Sequence, residues 1–554
     1  MFLMFIREDK RPNGATCIRI VESVREGGRV VQKTVRTLGQ HKDLKELEII
    51  RKAAKALIVE IKNNKNPVLP MIEAEEFYAP SKRRSEIEKT VNIGDLKEEK
   101  RINNGISDVY GNLYKQLKFD DLIKGTKQDE KWNGTLRSCV LARLAQPVSK
   151  SKTRKLLEED FDIKLALSHV YRMMNHVARL EERIKEKISR RTQELFKSKI
   201  DVVLFDVTTL YFESIERDEL REFGFSKDCK FNNTQVVLAL MTTTDGSPVG
   251  YELFPGNTSE GKTLIGVIES VKKVYDLNSV VLVADRAMFS AGNLEYMDQL
   301  GVKYVVAAKL KSLKNNLQET ILNSKTFKPS KVISEFHWIN EFNLNEKQRL
   351  IVSYSSARAN KDKADRERIV NKLKKKAKDG KLKLTDLVNN NGTRRYITST
   401  KNEALIDDAK INKNSQWDGL HGVITNVKDK TCAELLERYR DLWKIEEAFR
   451  INKHDLRLRP IYHWKPSRIK AHIAICYIAF ALMSHAKNIL KEKELNISLE
   501  TLREELLKSQ SSILIDSRSK TMFSVPSKTT ELQKLIYSTF NANRTRSSKI
   551  LLSE

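Results

Sequence analysis

Cysteine is scarce in this chain of 554 residues: Cys17, Cys139, Cys229, Cys432 and Cys476 are the five, and no two form a Cys-x-x-Cys pair. That argues against a zinc ribbon and against a disulfide scaffold. Long apolar runs are missing as well. The longest, near Ala474 to Met483, covers about half of the ~20 residues that a membrane-spanning helix needs. The opening MFLMFIREDK has no basic residue before its short apolar run and no small-residue cleavage site after it, so it does not read as a signal peptide. No repeat with a period of about 20–50 residues recurs. No Gly-x4-Gly-Lys-Ser/Thr loop is present to cradle nucleotide phosphates. These absences lead us to expect a reduced, soluble, intracellular protein with no membrane partner and no nucleotide cofactor.

What is abundant is positive charge. Lys and Arg number 101 against 73 Asp and Glu, a formal net charge of +28, and 40% of the residues are hydrophobic. That apolar content can bury real cores, and the length predicts several domains. A basic excess on a globular chain is best neutralised by a polyanion, of which nucleic acid is the commonest.

The chain divides by pattern. CIRIVESV and RVVQKTVRTL alternate apolar and polar residues around Glu26-Gly27-Gly28, which predicts a β-hairpin within residues 1–45. Residues 46–197 show helical periodicity, as in DLKELEIIRKAAKALIVEI, and are expected to form a mainly helical domain. PSKRRSEIEK, from Pro80, reads as a linker or exposed loop. GTLRSCVLARLAQP, SKSKTRKLLEEDF and LSHVYRMMNHVARL could form a helix-turn-helix, with Arg137, Lys152, Arg154 and Arg172 as candidate phosphate contacts.

After Lys199 the order becomes strand, strand, strand, helix, strand, helix, strand: DVVLFDVTTLYF, QVVLALMTT, SPVGYELF, a helical run from Glu260, SVVLVAD, a helix from Ala291, and KYVVAAK. That order fits an α/β RNase H-like domain over residues 198–490, with a mixed five-stranded sheet and helices. Charged segments with short strands between about 310 and 430 read as an α+β insertion. TCAELLERYRDLWKIEEAFRINKHDL supplies a closing helix and RIKAHIAICYIAFALMSHAKNIL a long apolar one. Residues 491–554 are expected to be a basic, peripheral C-terminal tail.

Asp206 lies inside one buried-looking strand and Asp285 ends another. An ionised carboxylate in such a place needs a partner, because burying it alone is costly. Alone, each has a bland explanation: Asp285 could cap the next helix or pair with Arg286, and Asp206 could turn onto Thr208 and Thr209. In the expected topology, however, the two strands are neighbours. Two carboxylates side by side repel, and a divalent cation relieves the repulsion. In the closing helix Tyr439, Glu446 and Lys453 recur every seven residues. In a regular helix that spacing drifts by only about 20° per step, so all three would share one face. Glu447 is the alternative if the helix phase differs. Trp443, beside Leu442 and Ile445, reads more readily as core than as a base-stacking residue.

Asp206, Asp285 and the segment Y-R-D-L-W-K-I-E-E-A-F-R-I-N-K resemble the DDE transposases of bacterial insertion sequences. More narrowly, they resemble the group whose third acid lies in Tyr-x2-Arg-x3-Glu-x6-Lys. Tyr439, Glu446 and Lys453 match that spacing, and Leu442 stands at the Arg position, with Arg440 and Arg450 nearby but out of register. GFSKDCK, LFPGN, ADRAMFS, DGLHGVITN and RPIYHWKPSRIKAHI are similar to the group's other motifs, in the same order.

The resemblance implies a DNA transposase that binds the terminal inverted repeats of its own element, cleaves there and joins the freed end to target DNA. It implies Asp206, Asp285 and Glu446 as catalytic metal ligands for two Mg²⁺ ions, with Mn²⁺ able to substitute, and Tyr439 and Lys453 as DNA contacts. It implies that the mainly helical region 46–197 is DNA-binding, that a homodimer forms in the DNA complex, and that the protein resides on DNA in the bacterial cytoplasm. The rival readings are an RNase H-like nuclease acting on other DNA structures and a non-catalytic DNA-binding descendant, to which the Leu442 departure points.

Overall fold

The structure is a computed structural model. It describes residues 92–196, 201–224, 232–274, 280–285, 290–332, 335–380, 382, 392–399, 404–544 and 548–551, together with 3–58 apart from positions 13, 27, 28, 42, 44, 45, 49, 52 and 56. Two compact units emerge, residues 1–90 and 91–554. The expected linker from Pro80, Gly27-Gly28, Arg286 and the segments GFSKDCK and RAMFS fall wholly or mostly outside the described residues.

In the first unit the hairpin is part of a three-stranded antiparallel sheet, β1 (Leu3–Lys10), β2 (Thr16–Glu26) and β3 (Arg29–His41). Its alternation buries Ile18 and Ile20 against Leu47, Ala54 and Ile58 of the helical stretch that follows.

The second unit opens with β4 (Leu96–Asn103) and five helices, α1 (Gly105–Gln116), α2 (Lys127–Ala145), α3 (Lys150–Phe161), α4 (Leu167–Arg179) and α5 (Glu181–Phe196). Thr126 and Asp129 form a capping box that starts α2, and Ser149 caps α3. The sheet begins with β5 (Val202–Tyr211), β6 (Gln235–Thr242) and β7 (Pro248–Pro255), all antiparallel. Helix α6 (Glu260–Val274) leads to β8 (Val281–Ala284), and α7 (Ala291–Gln299) leads to β9 (Lys303–Ala307). Both β8 and β9 join in parallel. The order β7-β6-β5-β8-β9 fits the expected RNase H-like arrangement.

The sheet does not stop at five strands. After α8 (Asn315–Asn323), the chain adds β10 (Lys328–Val332), β11 (Glu335–Asn343) and β12 (Arg349–Tyr354). Then come α9 (Ser356–Lys378), the small pair β13 (Ile397–Ser399) and β14 (Ala404–Ile406), α10 (Asp408–Ser415) and β15 (Leu420–Thr425). β15 pairs antiparallel with β9, and the order β10-β11-β12-β15-β9 gives nine strands in one sheet. A bare β9 would present an open edge of unpaired amides and carbonyls; β15 covers it. The basic run at residues 371–378 forms the last turns of α9.

The closing segment comprises α11 (Cys432–Arg440), α12 (Trp443–Arg450) and a π-helical turn, Ile451–Asp455. Helix α13 (Pro466–Glu492) follows. By length and composition α13 could cross a membrane, but 89% of its most apolar window is buried. It is clasped by α2, α4, α5 and β7, with Tyr477 against Tyr251 at 4.8 Å between ring centres. Each fully buried Ile, Leu or Phe along it contributes about 1.5–3 kcal/mol. Residues Ile106 to Ile188 of the helical region and Leu204, Val283 and Val305 of the sheet therefore share one continuous core with α13.

Residues expected as a tail build α14 (Leu499–Lys508), β16 (Gln510–Asp516), β17 (Met522–Pro526), α15 (Glu531–Thr539) and β18 (Lys549–Leu551). β16 pairs with β4, more than 400 residues earlier. Asn103 donates to the carbonyls of Leu506 and Leu507 at 3.1 and 2.9 Å. Gly105 is required there, since a Cβ would lie 2.2 Å from the Leu506 carbonyl oxygen.

Candidate active site

β5 and β8 run parallel with Phe205 opposite Ala284. Asp206 and Asp285 each follow that pair by one residue, so two adjacent strands carry a carboxylate at the same level. Neighbouring strands lie about 4.8 Å apart. Phe205 and Ala284 face one core, while Leu204 and Val283 face the other. Strand alternation therefore puts Asp206, and Asp285 just past the strand end, on the Leu204 side. That is the side on which Leu435, Leu436, Ile445, Ala448 and Phe449 of α11 and α12 pack. Asp206 is half-buried and accepts the Val207 amide at 2.7 Å; Asp285 is exposed. The cap of α7 is Ser290 and not Asp285.

The signature segment is not one regular helix, as its seven-residue spacing suggested. Between α11 and α12, amides bond three residues back: Leu442 to Tyr439 at 3.1 Å, Lys444 to Asp441 at 2.9 Å and Ile445 to Leu442 at 3.1 Å. This tight stretch and the wide π turn change the phase on either side of α12. Tyr439 and Glu446 still line one cavity of 360 Å³, with His421, Arg358, Arg440 and Trp443. Lys453 lies on the π turn, 5.9 Å from the centre of the Phe449 ring, and does not line it. Trp443, expected in the core, is 56% exposed. The phase change turns it outward while Ile445, Ala448 and Phe449 face in.

The two adjacent glutamates differ in their surroundings. Glu447 accepts from Lys487 at 2.6 Å and lies 3.9 Å from Arg450. Glu446 is exposed and, among the described residues, makes no ion pair. Arg440 donates to the Val332 carbonyl at 3.4 Å.

A second cavity of 810 Å³ is lined by Asp285, Lys309, Lys311, Arg358, Arg395, His421 and Tyr439, among others. Arg358, His421 and Tyr439 line both cavities. Asp285 lines one of these adjoining cavities and Glu446 the other, and Asp206 lines neither. Among the described residues no group of three or more His, Cys, Asp or Glu stands close enough to hold a metal ion. The structure pairs Asp206 with Asp285 by register and leaves Glu446 in the adjoining cavity.

Sequence reasoning missed Arg358 and His421. Arg358 comes from the first turn of α9, and only the basic character of the insertion hinted at it. The His421 ring lies 5.0 Å from that of Tyr439. Burial, with Arg358 and His337 adding to it, brings the His421 imidazole down to about 4, so it is neutral at pH 7. Of the candidate helix-turn-helix contacts, Arg154 pairs with Glu158 at 3.0 Å, Arg172 reaches its own helix carbonyl at Ser168, and Lys152 is exposed.

The chain thus carries two strand acids set level by register, a third acid on the packing helix, and cavities lined by cations. Residues 197–482, more than half the chain, match the transposase DDE domain, and residues 6–67 match the N-terminal domain of the IS1634 family transposases. The chain belongs to the DDE transposases of insertion sequences and is a DNA transposase. Among curated proteins none matches. Among solved structures it is similar to a piggyBac transposase synaptic complex with hairpin DNA, at 9% identity and a TM-score of 0.38 over 73% of this chain and 76% of that one. A likeness that slight carries no argument about this fold or its ligands.

Proposed function

We propose that Asp206, Asp285 and Glu446 are the acids with which this transposase cleaves DNA at the terminal inverted repeats of its element and joins the freed 3′ end to target DNA. The observation that carries this reading is the register pairing Phe205 with Ala284, which sets the two aspartates level on neighbouring strands. Ionised carboxylates so close repel, and their hard oxygens suit Mg²⁺ or Mn²⁺ and not zinc. Asp206 and Asp285 would hold the ions, and Glu446 would complete the set from α12. When bound, two such ions would acidify the attacking water or 3′-hydroxyl and stabilise the leaving oxygen.

The chain's own residues orient the DNA. Tyr439, whose ring lies 5.0 Å from that of neutral His421, would donate its hydroxyl to a phosphate oxygen. Lys453 supplies a point charge further along. Arg440, which shares the cavity of Glu446, is better placed than Arg450 to stand in for the signature Arg that Leu442 replaces. Strand transfer exchanges one phosphodiester for another, so no nucleotide cofactor is required. A homodimer would hold two ends together, on the DNA of a bacterial cytoplasm, within an RNase H-like domain whose sheet the insertion extends.

The test is cleavage of labelled terminal-repeat DNA in Mg²⁺ by Asp206→Asn, Asp285→Asn and Glu446→Gln. Each variant is expected to bind the DNA and fail to cut it. Wild-type cleavage by any one would remove that residue from the site.

A further inference from the structure

Between the π-helical turn and α13 runs a loop, RLRPIYHWK, from Arg457 to Lys465. Its buried residues are Leu458, Ile461 and His463, whereas Tyr462 is 61% exposed and Trp464 62% exposed. Arg457 and Lys465 are exposed in the same loop. Two large rings left in water beside two cations make a surface that offers stacking and charge together.

Beneath the loop lies a group of cations with no acid among them. The Arg468 guanidinium sits 4.3 Å from the centre of the Tyr171 ring, and Tyr171 meets His463 edge-on at 6.2 Å. His463 is 5.5 Å from His472, which is 3.3 Å from Arg143. Lys150, the first residue of α3, is only 3% exposed. Burial and the neighbouring Arg143 lower its ammonium to about 8. Burial, with Lys150, Arg468 and Arg143, likewise lowers His463 to about 3.

Among the described residues Lys150 has no carboxylate partner, and the buried Nε of Arg468 has no hydrogen-bond partner. The N-terminus of α13 beside them has no side-chain cap, so the helix dipole adds to the positive field. A buried cation lacking a counter-ion calls for an anion. Arg143 is already engaged with the Leu456 and Arg457 carbonyls, which leaves Lys150 and Arg468 for that anion.

We propose that this loop and the cations beneath it form a second DNA contact, outside the carboxylate groove, for an unpaired strand: Tyr462 and Trp464 stack on bases, and Lys150 and Arg468 take a backbone phosphate. The strand is unpaired because bases in a duplex already stack on each other and offer no free faces to protruding rings. The inference rests on the chain being a DNA transposase and not on the roles of Asp206, Asp285 and Glu446.

The experiment measures fluorescence anisotropy of full-length protein with labelled dodecathymidine and, separately, with a 12-base-pair duplex. The paired substitution Tyr462→Ala and Trp464→Ala is expected to weaken oligothymidine binding at least tenfold and to leave duplex binding within twofold. Trp464→Phe should retain most of the affinity. Lys150→Met should weaken oligothymidine binding and lower its salt slope by about one. Should Lys150→Met fail to fold, the exposed aromatic pair still decides the matter. Equal losses on both DNAs, or none on oligothymidine, would overturn the proposal. The readout is binding without divalent cations, so failure of the cleavage reading would be seen separately.

Discussion

Glu447 accepts a charge-assisted hydrogen bond from Lys487 at 2.6 Å, while its neighbour Glu446 faces the groove that holds Tyr439 and His421. One residue along α12 separates a carboxylate tied to α13 from one open to substrate. Glu446→Gln should abolish cleavage, and Glu447→Gln should retain it. Because the Glu447–Lys487 pair is partly exposed, at 25% and 41%, its loss should cost no more than about 1 kcal/mol. A cleavage assay paired with thermal unfolding of the two variants checks both statements.

Removal of divalent cations should stop cleavage and spare DNA binding. Chelation by EDTA followed by titration with Mg²⁺ or Mn²⁺ should restore activity, and Zn²⁺ should not. Restoration by Zn²⁺ alone would contradict an all-oxygen site.

Acid should destabilise the fold through its buried histidines. His421 and His485 are each lowered to about 4 and His463 to about 3, all chiefly by burial. The fold therefore prefers the neutral rings, and the unfolded chain binds more protons below its ordinary value of about 6.5. This contribution is full above that value and is lost as the pH falls from about 6.5 toward 4. Melting temperature should drop across that window, and the paired substitution His421→Asn and His485→Asn should flatten the slope. An unchanged slope would mean that other groups govern the acid transition.

The C-terminal residues should be indispensable for folding. Leu502, Leu506, Ile536 and Phe540 are all buried in the main core. At about 1.5–3 kcal/mol for each side chain, their removal approaches the whole stability of a typical domain. A chain ending at residue 498 should be aggregated or unfolded by gel filtration and circular dichroism. Phe540→Ala alone should cost about 3–5 kcal/mol, measured by denaturant unfolding.

End binding should weaken steeply with salt, because the +28 net charge binds phosphates at the expense of released counter-ions. Affinity for terminal-repeat DNA measured between 50 and 200 mM salt, about the range over which several phosphate contacts lose orders of magnitude, checks this. A flat dependence would point away from a phosphate-dominated interface.

The residues by themselves determined the strands, because Val-rich runs such as DVVLFDV and SVVLVAD can be satisfied only within a buried sheet. Strand order then set Asp206 beside Asp285, since a parallel crossover brings the first and fourth strands together. The seven-residue spacing of Tyr439, Glu446 and Lys453 was equally visible, but its meaning was not. Backbone bonding between α11 and α12 and in the π turn alters the phase, which is why Lys453 leaves the cavity that Tyr439 and Glu446 share and why Trp443 turns outward.

Tertiary structure alone decided the rest. The sheet extends past β9 because that edge needs a partner, and only long-range pairing reveals that β15 supplies it. Arg358 and His421 enter the groove by the same route. The last residues become part of the core because β16 pairs with β4 across more than 400 positions. Local pattern fixes which segments want burial, but the partner that buries them is set by contacts between residues far apart in the chain.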